Sequence, residues 1–540
     1  MKKWNYAGIS RPWTNGFRLF ALFLLVFIAV NLYLGQQRVL QMPPQGIHLW
    51  RQADGLTFAY NYYKDGIDIF QPRLNNLMSN GGYSACEFPI IYAFVALLYK
   101  IFGPHTLIFR FVNLLIVFLG FYALFRMLSL LIGDMIQALA FSLIFFASSI
   151  LIYYSSSFIP DPQALGFTLL GWWFFFRYLD KPAKKELILS FLFFTLGALI
   201  KVTFGINALA AIGIFAVERI WGIRLKSDNF TFKHPFTFVL LALLSLGSVL
   251  AWNSWMLHYN LRNGSSYFLT QARPIWFLNS AEIANNWKLI TEYWYTKYYY
   301  ESIFHFFLIT MLSGLYWMLK AGRTLVFLSV FMVLGGLSYF LLFFQQFGQH
   351  DYYAINLMTT LMFPVVTAFV ALRLKFPKIA GSWLISCLLL ILAFLGIQYA
   401  RLNLQRRYDP IVSVESGFNT GFYEMQSVLK KAGVSANAKI ISMPDPSPNI
   451  SLYFLDRQGW TIPAGAEKIP DSLCYLIRHG ADYLVISDSN LSMRQDLQSF
   501  LTEKLAVYHG ISLYKLNPAM NTKHCVFLRS KSLTWATRSK

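Results

Sequence analysis

From residue 16 to about residue 398 the chain alternates long apolar runs with short polar connections, and beyond about 400 it changes to short segments of mixed period. Runs long enough to cross about 30 Å of hydrocarbon form helices, because only a helix satisfies its own backbone polar groups in lipid. The pattern predicts a first span near 16–34. Further crossings follow near 107–130, 137–155, 162–179, 187–200, 203–221, 236–257, 302–320, 323–343, 351–372 and 379–398, about eleven in all, with 11–13 as the range. The apolar piece 88–102 is short and carries Lys100, so it reads as a helix lying along the membrane surface; a true span is the alternative. The pair 187–200 and 203–221 turns tightly at Lys201 and Gly205, and either walls a pocket or is a plain helical hairpin.

After residue 400 the periods shorten. GFYEMQSVLKKAG has helical spacing and stops at Gly433, AKIISM is a short apolar strand, SLYFLDRQG is helical, and ADYLVISD is a strand. The fold class is therefore mainly α: a polytopic transmembrane helical bundle with a C-terminal α/β domain. The predicted division is 1–400 for the membrane module, with a first outer loop at about 35–106, and 401–540 for the soluble domain. Asp445, Asp456 and Asp488 lie near strand ends or helices without a nucleotide-binding glycine pattern, so acceptor recognition or a structural cap is expected of this domain.

Composition agrees with the pattern. Of 540 residues 56% are hydrophobic, 18% aromatic and only 13% charged, and the mean hydropathy is +0.46, values outside the usual range of soluble proteins. A net charge of +21 would suggest nucleic acid in a soluble chain. Here much of the Lys and Arg sits in short connections, with no basic stripe interleaved with aromatics, so no nucleic-acid partner is implied. Lys2, Lys3, Arg11 and Arg18 precede the first span, and basic clusters recur at Arg126, Arg177–Lys185, Arg219–Lys233, Lys320–Arg323 and Arg373–Lys378. The positive-inside rule puts these in the cytoplasm, the first loop outside and, after an odd number of crossings, the tail outside in the periplasm. The first segment is long and has no small-residue cleavage site, so it reads as a retained helix. Four cysteines make no disulfide framework or C-x-x-C metal spacing; Cys474 and Cys525 could pair if the tail faces an oxidising compartment.

That topology collects polar residues on the outer face: Asp54 and Glu87 in the first loop, Asp161 after the third crossing, Lys201 at the tight turn, and His350, Asp351, Tyr352 and Tyr353 before the tenth. Each has an ordinary alternative. Asp161 precedes Pro162 and suits a helix start, Lys201 can snorkel, and the tyrosines fit an interfacial belt. Together they supply a base, cations and flanking acids at the lipid–water boundary. That set suits sugar transfer from a polyprenyl-phosphate carrier, in which a carboxylate takes the acceptor's proton and fixed cations meet the charge on the departing phosphate. Asp54 fits the first role; Lys201, His350 and Arg273 fit the second. A transporter or lipid-carrier flippase is the alternative, but it would place its acids at mid-membrane and show two similar halves.

In WRQAD of the first loop, EFP followed by a short apolar helix and IFG, FIPDPQAL, GALIKVTFG and HDYYAINL, the chain resembles the C-superfamily of integral-membrane glycosyltransferases. The likeness is to the bacterial relatives of protein O-mannosyltransferases and aminoarabinose transferases, over roughly residues 10–400. The resemblance implies that Asp54 is the catalytic carboxylate and Asp161 the second outer-loop acid, and that Lys201 and the HDYY segment line the cavity for the carrier phosphate. It further implies a sugar monophosphate-polyprenol donor, an envelope lipid, glycan or protein as acceptor, and a place in the bacterial cytoplasmic membrane. No cofactor is firmly implied, and a divalent cation shared by Asp54 and Asp161 stays open. In one respect the chain departs: many relatives have Lys-Pro after the loop acid, whereas Glu87 is followed by Phe88–Pro89. The phosphate's cation could then be Arg51, Arg73 or Arg273.

Overall fold

The computed structural model describes residues 16–225, 230–268, 272–409, 418–466 and 468–517. Lys2, Lys3, Arg11, Lys226 and Cys525 lie outside them. The chain divides into two compact units, each discontinuous in sequence: Met1–Met42, Phe109–Asn253 and Gln271–Asp409 make one, and Pro43–Ile108, Ser254–Thr270 and Pro410–Lys540 the other.

The first unit is helical. Among the described residues seven helices are long and apolar enough to cross a membrane: Gly16–Leu34, Thr106–Ile132, Val202–Arg219, Pro235–Arg262, Arg323–Leu342, Asp351–Lys375 and Trp383–Tyr408. The expected count of about eleven is thus too high by this standard. Two of the expected crossings form helices at Asp161–Asp180 and Lys184–Ile200, and a third at Glu301–Leu315, but none of the three combines a span's length with its hydropathy. The expected crossing 137–155 is broken. Its halves, Met135–Phe146 and Ser149–Ser155, meet at 80°, and only if they count as one span does the number reach eight.

At the break the Phe145 carbonyl accepts from the Tyr299 hydroxyl (3.0 Å), and where the second half ends further carbonyls find donors. Asn113 donates to the carbonyls of Tyr154 (3.1 Å) and Ser157 (3.0 Å), and Arg110, fully buried, donates to that of Ser156. Close helix packing has a sequence cause too. A Cβ on Gly120 would lie 2.5 Å from the Cα of Gly166, so the helices Thr106–Ile132 and Asp161–Asp180 touch backbone to backbone at paired glycines.

The second unit is built on a five-stranded sheet of order β2-β1-β3-β5-β4, with β1 at Ile440–Met443, β2 at Gly459–Thr461, β3 at Tyr483–Ile486, β4 at Glu503–Tyr508 and β5 at Ile511–Lys515. β1 runs parallel to β2 and β3, while β5 is antiparallel to β3 and β4. Side chains alternate between its faces. Ile441, Leu484, Ile486 and Tyr514 enter one core with the helix Ile469–Arg478. Ile440, Val485 and Leu513 enter the other, which also holds Leu49 and Ala53 of the first loop.

That last contact ties the loop to the tail. At the β2 edge Asn76 bridges Gly459 in parallel, with the Leu77 amide donating to the Gly459 carbonyl (2.7 Å) and the Gly459 amide to the Asn75 carbonyl (3.0 Å). The loop thereby covers an otherwise open edge. Gly459 is required there, since a Cβ would fall 1.7 Å from the Ile440 carbonyl oxygen.

Candidate active site

Asp54 lies in the helix Leu49–Asp65. Leu49 and Ala53, four residues apart, share the face that packs on the sheet. The Gln52 amide donates to the carbonyls of Gln45 (3.0 Å) and Ile47 (3.1 Å), folding the incoming chain onto the first turn. His48, just before it, takes a left-handed φ of 58°, which is uncommon for a side chain of its size. Asp54 itself is 1% exposed.

The cation nearest in sequence is already committed. Arg51 forms an ion pair with Glu87, which also accepts from the Tyr92 hydroxyl. The Arg51 guanidinium lies over the Phe268 ring at 5.5 Å, and Phe58 stacks on Tyr92 at 5.3 Å. Among the described residues no donor closes a hydrogen bond on either Asp54 carboxylate oxygen. Burial raises Asp54 to about 7; Arg51 opposes this, Glu87 and Asp445 add to it, and the Asn449 amide favours the charged form without completing a bond of good geometry. Burial works against the Glu87 charge as well, yet Arg51, Tyr92 and Cys86 hold Glu87 below its ordinary value. One acid of this pair of neighbours is thus fixed as an anion. The other is poised to exchange a proton near neutrality.

The helical unit carries a second cluster. Asp161 begins the helix Asp161–Asp180 with Pro162 behind it, where a carboxylate suits the helix dipole. Its Oδ1 is 3.2 Å from Nζ of Lys201, the residue at which the helix Lys184–Ile200 ends before Val202–Phe204 and Gly205–Arg219. The tight turn is therefore present as expected from sequence. The Lys201 ammonium faces the rings of Tyr353 (4.3 Å) and Tyr352 (5.2 Å), and His350 stacks on both. Asp351, fully buried, accepts from Tyr154 (2.6 Å) and Arg407 (2.6 Å), which anchors this turn.

The expected site residues thus fall into two sets: Asp54 with Glu87, and Asp161 with Lys201, His350, Tyr352 and Tyr353. Among the described residues Arg273 makes its ion pair outside both sets. It is half-exposed and pairs with Glu282 at 2.9 Å, the residue that closes a capping box with Asn279 on the helix Ser280–Lys288. Arg73 pairs with Asp65. Three contributors escaped sequence reading. Tyr154 and Arg407 lie within apolar or basic runs that carry no motif, and Asn449 lies in the turn DPSPNI of the tail, whose only signal is its prolines and short polar residues. Among the described residues no three His, Cys, Asp or Glu side chains converge as a metal set would.

An apolar cavity of about 450 Å³ opens in the helical unit, lined by Tyr298, Phe304, Phe340, Phe347, Leu357 and Met358 among others. None of its lining comes from 187–221, the region the sequence suggested as a pocket wall.

Residues 87–252 match the protein family described as dolichyl-phosphate-mannose-protein mannosyltransferase. No curated protein is significantly similar in sequence. Among solved structures the chain is similar to ArnT from Cupriavidus metallidurans in the apo state, with 11% identity, a TM-score of 0.59, and coverage of 93% of this chain and 99% of that one. The same protein bound to undecaprenyl phosphate gives 11% identity, a TM-score of 0.58, and 93% and 98% coverage. The arabinofuranosyltransferase AftD from Mycobacteria is 10% identical with a TM-score of 0.54, covering 95% of this chain and 40% of its own. The oligosaccharyltransferase of Archaeoglobus fulgidus is 14% identical with a TM-score of 0.50, at 86% and 69% coverage. At these identities the likeness is one of fold.

Proposed function

We propose, from the resemblance to integral-membrane glycosyltransferases of the C-superfamily that the family match and the shared fold carry, that this chain transfers a sugar from a polyprenyl-phosphate donor to an acceptor hydroxyl. Asp54 is the general base. It takes the acceptor's proton as the oxygen attacks the anomeric carbon and the carbon–oxygen bond to the phosphate breaks, with inversion at that carbon. The departing polyprenyl phosphate gains negative charge. Lys201, with Tyr352, Tyr353 and His350 about it, supplies the cation and polar groups that charge requires. Burial raises the proton affinity of Asp54; of the ion pair beside it, Arg51 lowers that affinity and Glu87 offsets part of the lowering.

The observation that carries this reading is the Asp54 carboxylate: buried, without a closed hydrogen bond among the described residues, and titrating near 7. The apolar cavity of the helical unit suits the chemistry of an isoprenoid chain, and undecaprenyl phosphate is what the similar ArnT structure holds. For location we propose a bacterial cytoplasmic membrane with the tail on the outer side. In support, Cys474 is disulfide-bonded, and disulfides persist in oxidising compartments. The partner expected from sequence, Cys525, lies outside the described residues.

The test is Asp54→Asn in membrane vesicles supplied with labelled polyprenyl-phosphate sugars. Covalent transfer should fall by roughly a hundred- to ten-thousand-fold in folded protein, the range for loss of a general base. Full transfer by Asp54→Asn sinks the assignment. Movement of label across the bilayer without transfer would favour a flippase.

A further inference from the structure

The proposed base stands on a helix that the C-terminal domain holds. Leu49 and Ala53, on either side of its first full turn, are buried in the sheet's own core, and the side chain of Asn449, fully buried, reaches the same helix. Its Nδ2 donates to the Thr57 hydroxyl at 2.7 Å, and that hydroxyl donates to the Ala53 carbonyl at 2.8 Å. Thr57 lies three residues beyond Asp54, on the neighbouring turn of the same helix face.

Asn449 is itself held from both sides. Its Oδ1 accepts from the Asn75 amide (3.3 Å). Behind it, Asp445 Oδ1 accepts from the Ser447 amide (2.8 Å) and hydroxyl (2.6 Å), and Oδ2 from the Ser451 amide (2.8 Å), which closes the turn 445–451. Ser447 Oγ accepts in turn from the amide of Ile450 at 2.8 Å. Asn76 pins the turn to the first loop by donating to the Pro448 carbonyl at 2.6 Å. Asp445, with both oxygens occupied, serves as scaffold. The amide of Asn449 is left facing the Asp54 carboxyl, the side-chain donor that favours its ionised form.

We propose that the C-terminal domain contributes a positioning residue to the active site: Asn449 clamps the Asp54 helix through Thr57 and supports the ionised base. The inference rests on Asp54 being that base. The other titratable groups acting on Asp54 are Arg51 on its own helix, Cys86 and Glu87 from the loop before Pro89, Asp445 from the tail, and Tyr267 from the segment after Arg262. Arg51 and Asn449 favour its charge. The domain thereby acts on chemistry as well as on the fold.

The test uses the full-length protein in detergent or nanodiscs, with Asn449→Ala and Asn449→Ser. pH-difference infrared spectra isolate the Asp54 carboxyl band as the one missing from Asp54→Asn. In Asn449→Ala its titration midpoint should rise by roughly one pH unit, the size expected for losing a donor to a charged group. The acid limb of the transfer rate should rise with it, and Asn449→Ser, which keeps a donor, should recover part of the shift. An unmoved midpoint in folded Asn449→Ala overturns the proposal, even if stability drops. A moved midpoint with full activity in Asp54→Asn keeps the coupling and removes the base, so the two failures are distinct.

Discussion

Asp54 and Asp161 are both buried acids on helices beside a basic residue, yet their surroundings differ. Asp161 is the first residue of its helix, has the dipole in its favour, and faces the Lys201 ammonium at 3.2 Å. Asp54 is the sixth residue of its helix, and Arg51 on the same helix closes its ion pair with Glu87. The buried Asp161 carboxylate faces an ammonium and holds it in place; the Asp54 carboxyl, with no closed bond among the described residues, is raised by burial to about 7. The comparison separates an anchor from a base. Sequence assigned them different roles, but the partners that separate them appear only in the fold.

Removing the anchor's partner breaks the contrast most severely. Lys201→Met removes the ammonium that faces buried Asp161, a broken buried pair that costs about 3–5 kcal/mol, and it also removes the proposed phosphate cation. Thermal unfolding should fall sharply and transfer should be lost. The double variant Lys201→Met with Asp161→Asn should regain most of the stability and none of the transfer; recovery of transfer would show that Lys201 is only structural.

A smaller change sharpens the other side. Glu87→Gln removes the anion that raises Asp54 and frees Arg51 to face it. The Asp54 midpoint should therefore move down by about one unit or more, as for a carboxylate gaining an arginine, and transfer at pH about 6 should become a larger fraction of the plateau. An upward or absent shift in the acid limb would contradict the arrangement of charges. Arg273→Ala should do least. Its pair with Glu282 is exposed, such pairs contribute at most about 1 kcal/mol, and transfer should stay within about twofold; a loss beyond tenfold would return Arg273 to the site.

Much of the fold was legible because long apolar runs and period-two strands have few alternatives in water or lipid. The spans 16–34, 107–130, 236–257, 323–343, 351–372 and 379–398 have helices in their places, as do the tail segments AKIISM and ADYLVISD their strands. What sequence could not give was continuity. Met135–Ser155 reads as one apolar run, but at its break the Phe145 carbonyl is met by the Tyr299 hydroxyl from 154 residues later. Likewise the first loop reads as a loop, although Asn75, Asn76 and Leu77 bond to the edge of a sheet formed more than 360 residues later. Asp54 could be named from its motif. The groups that tune it, Glu87 through Arg51 and Asn449 from the tail, are neighbours only after folding.

The pH dependence of sugar transfer by the wild-type protein tests the central claim most directly. Asp54 keeps its proton in the folded chain up to about 7, whereas in the unfolded chain it releases it near 4. Its contribution to stability therefore declines as pH rises through that window, while the fraction of ionised base increases. The rate should rise with pH along an acid limb centred near 7, then level off, and this limb should be absent from whatever activity remains in Asp54→Asn. A wild-type rate that is flat from about pH 5 to 8, with saturating donor and acceptor and chemistry rate-limiting, would contradict a base of this kind.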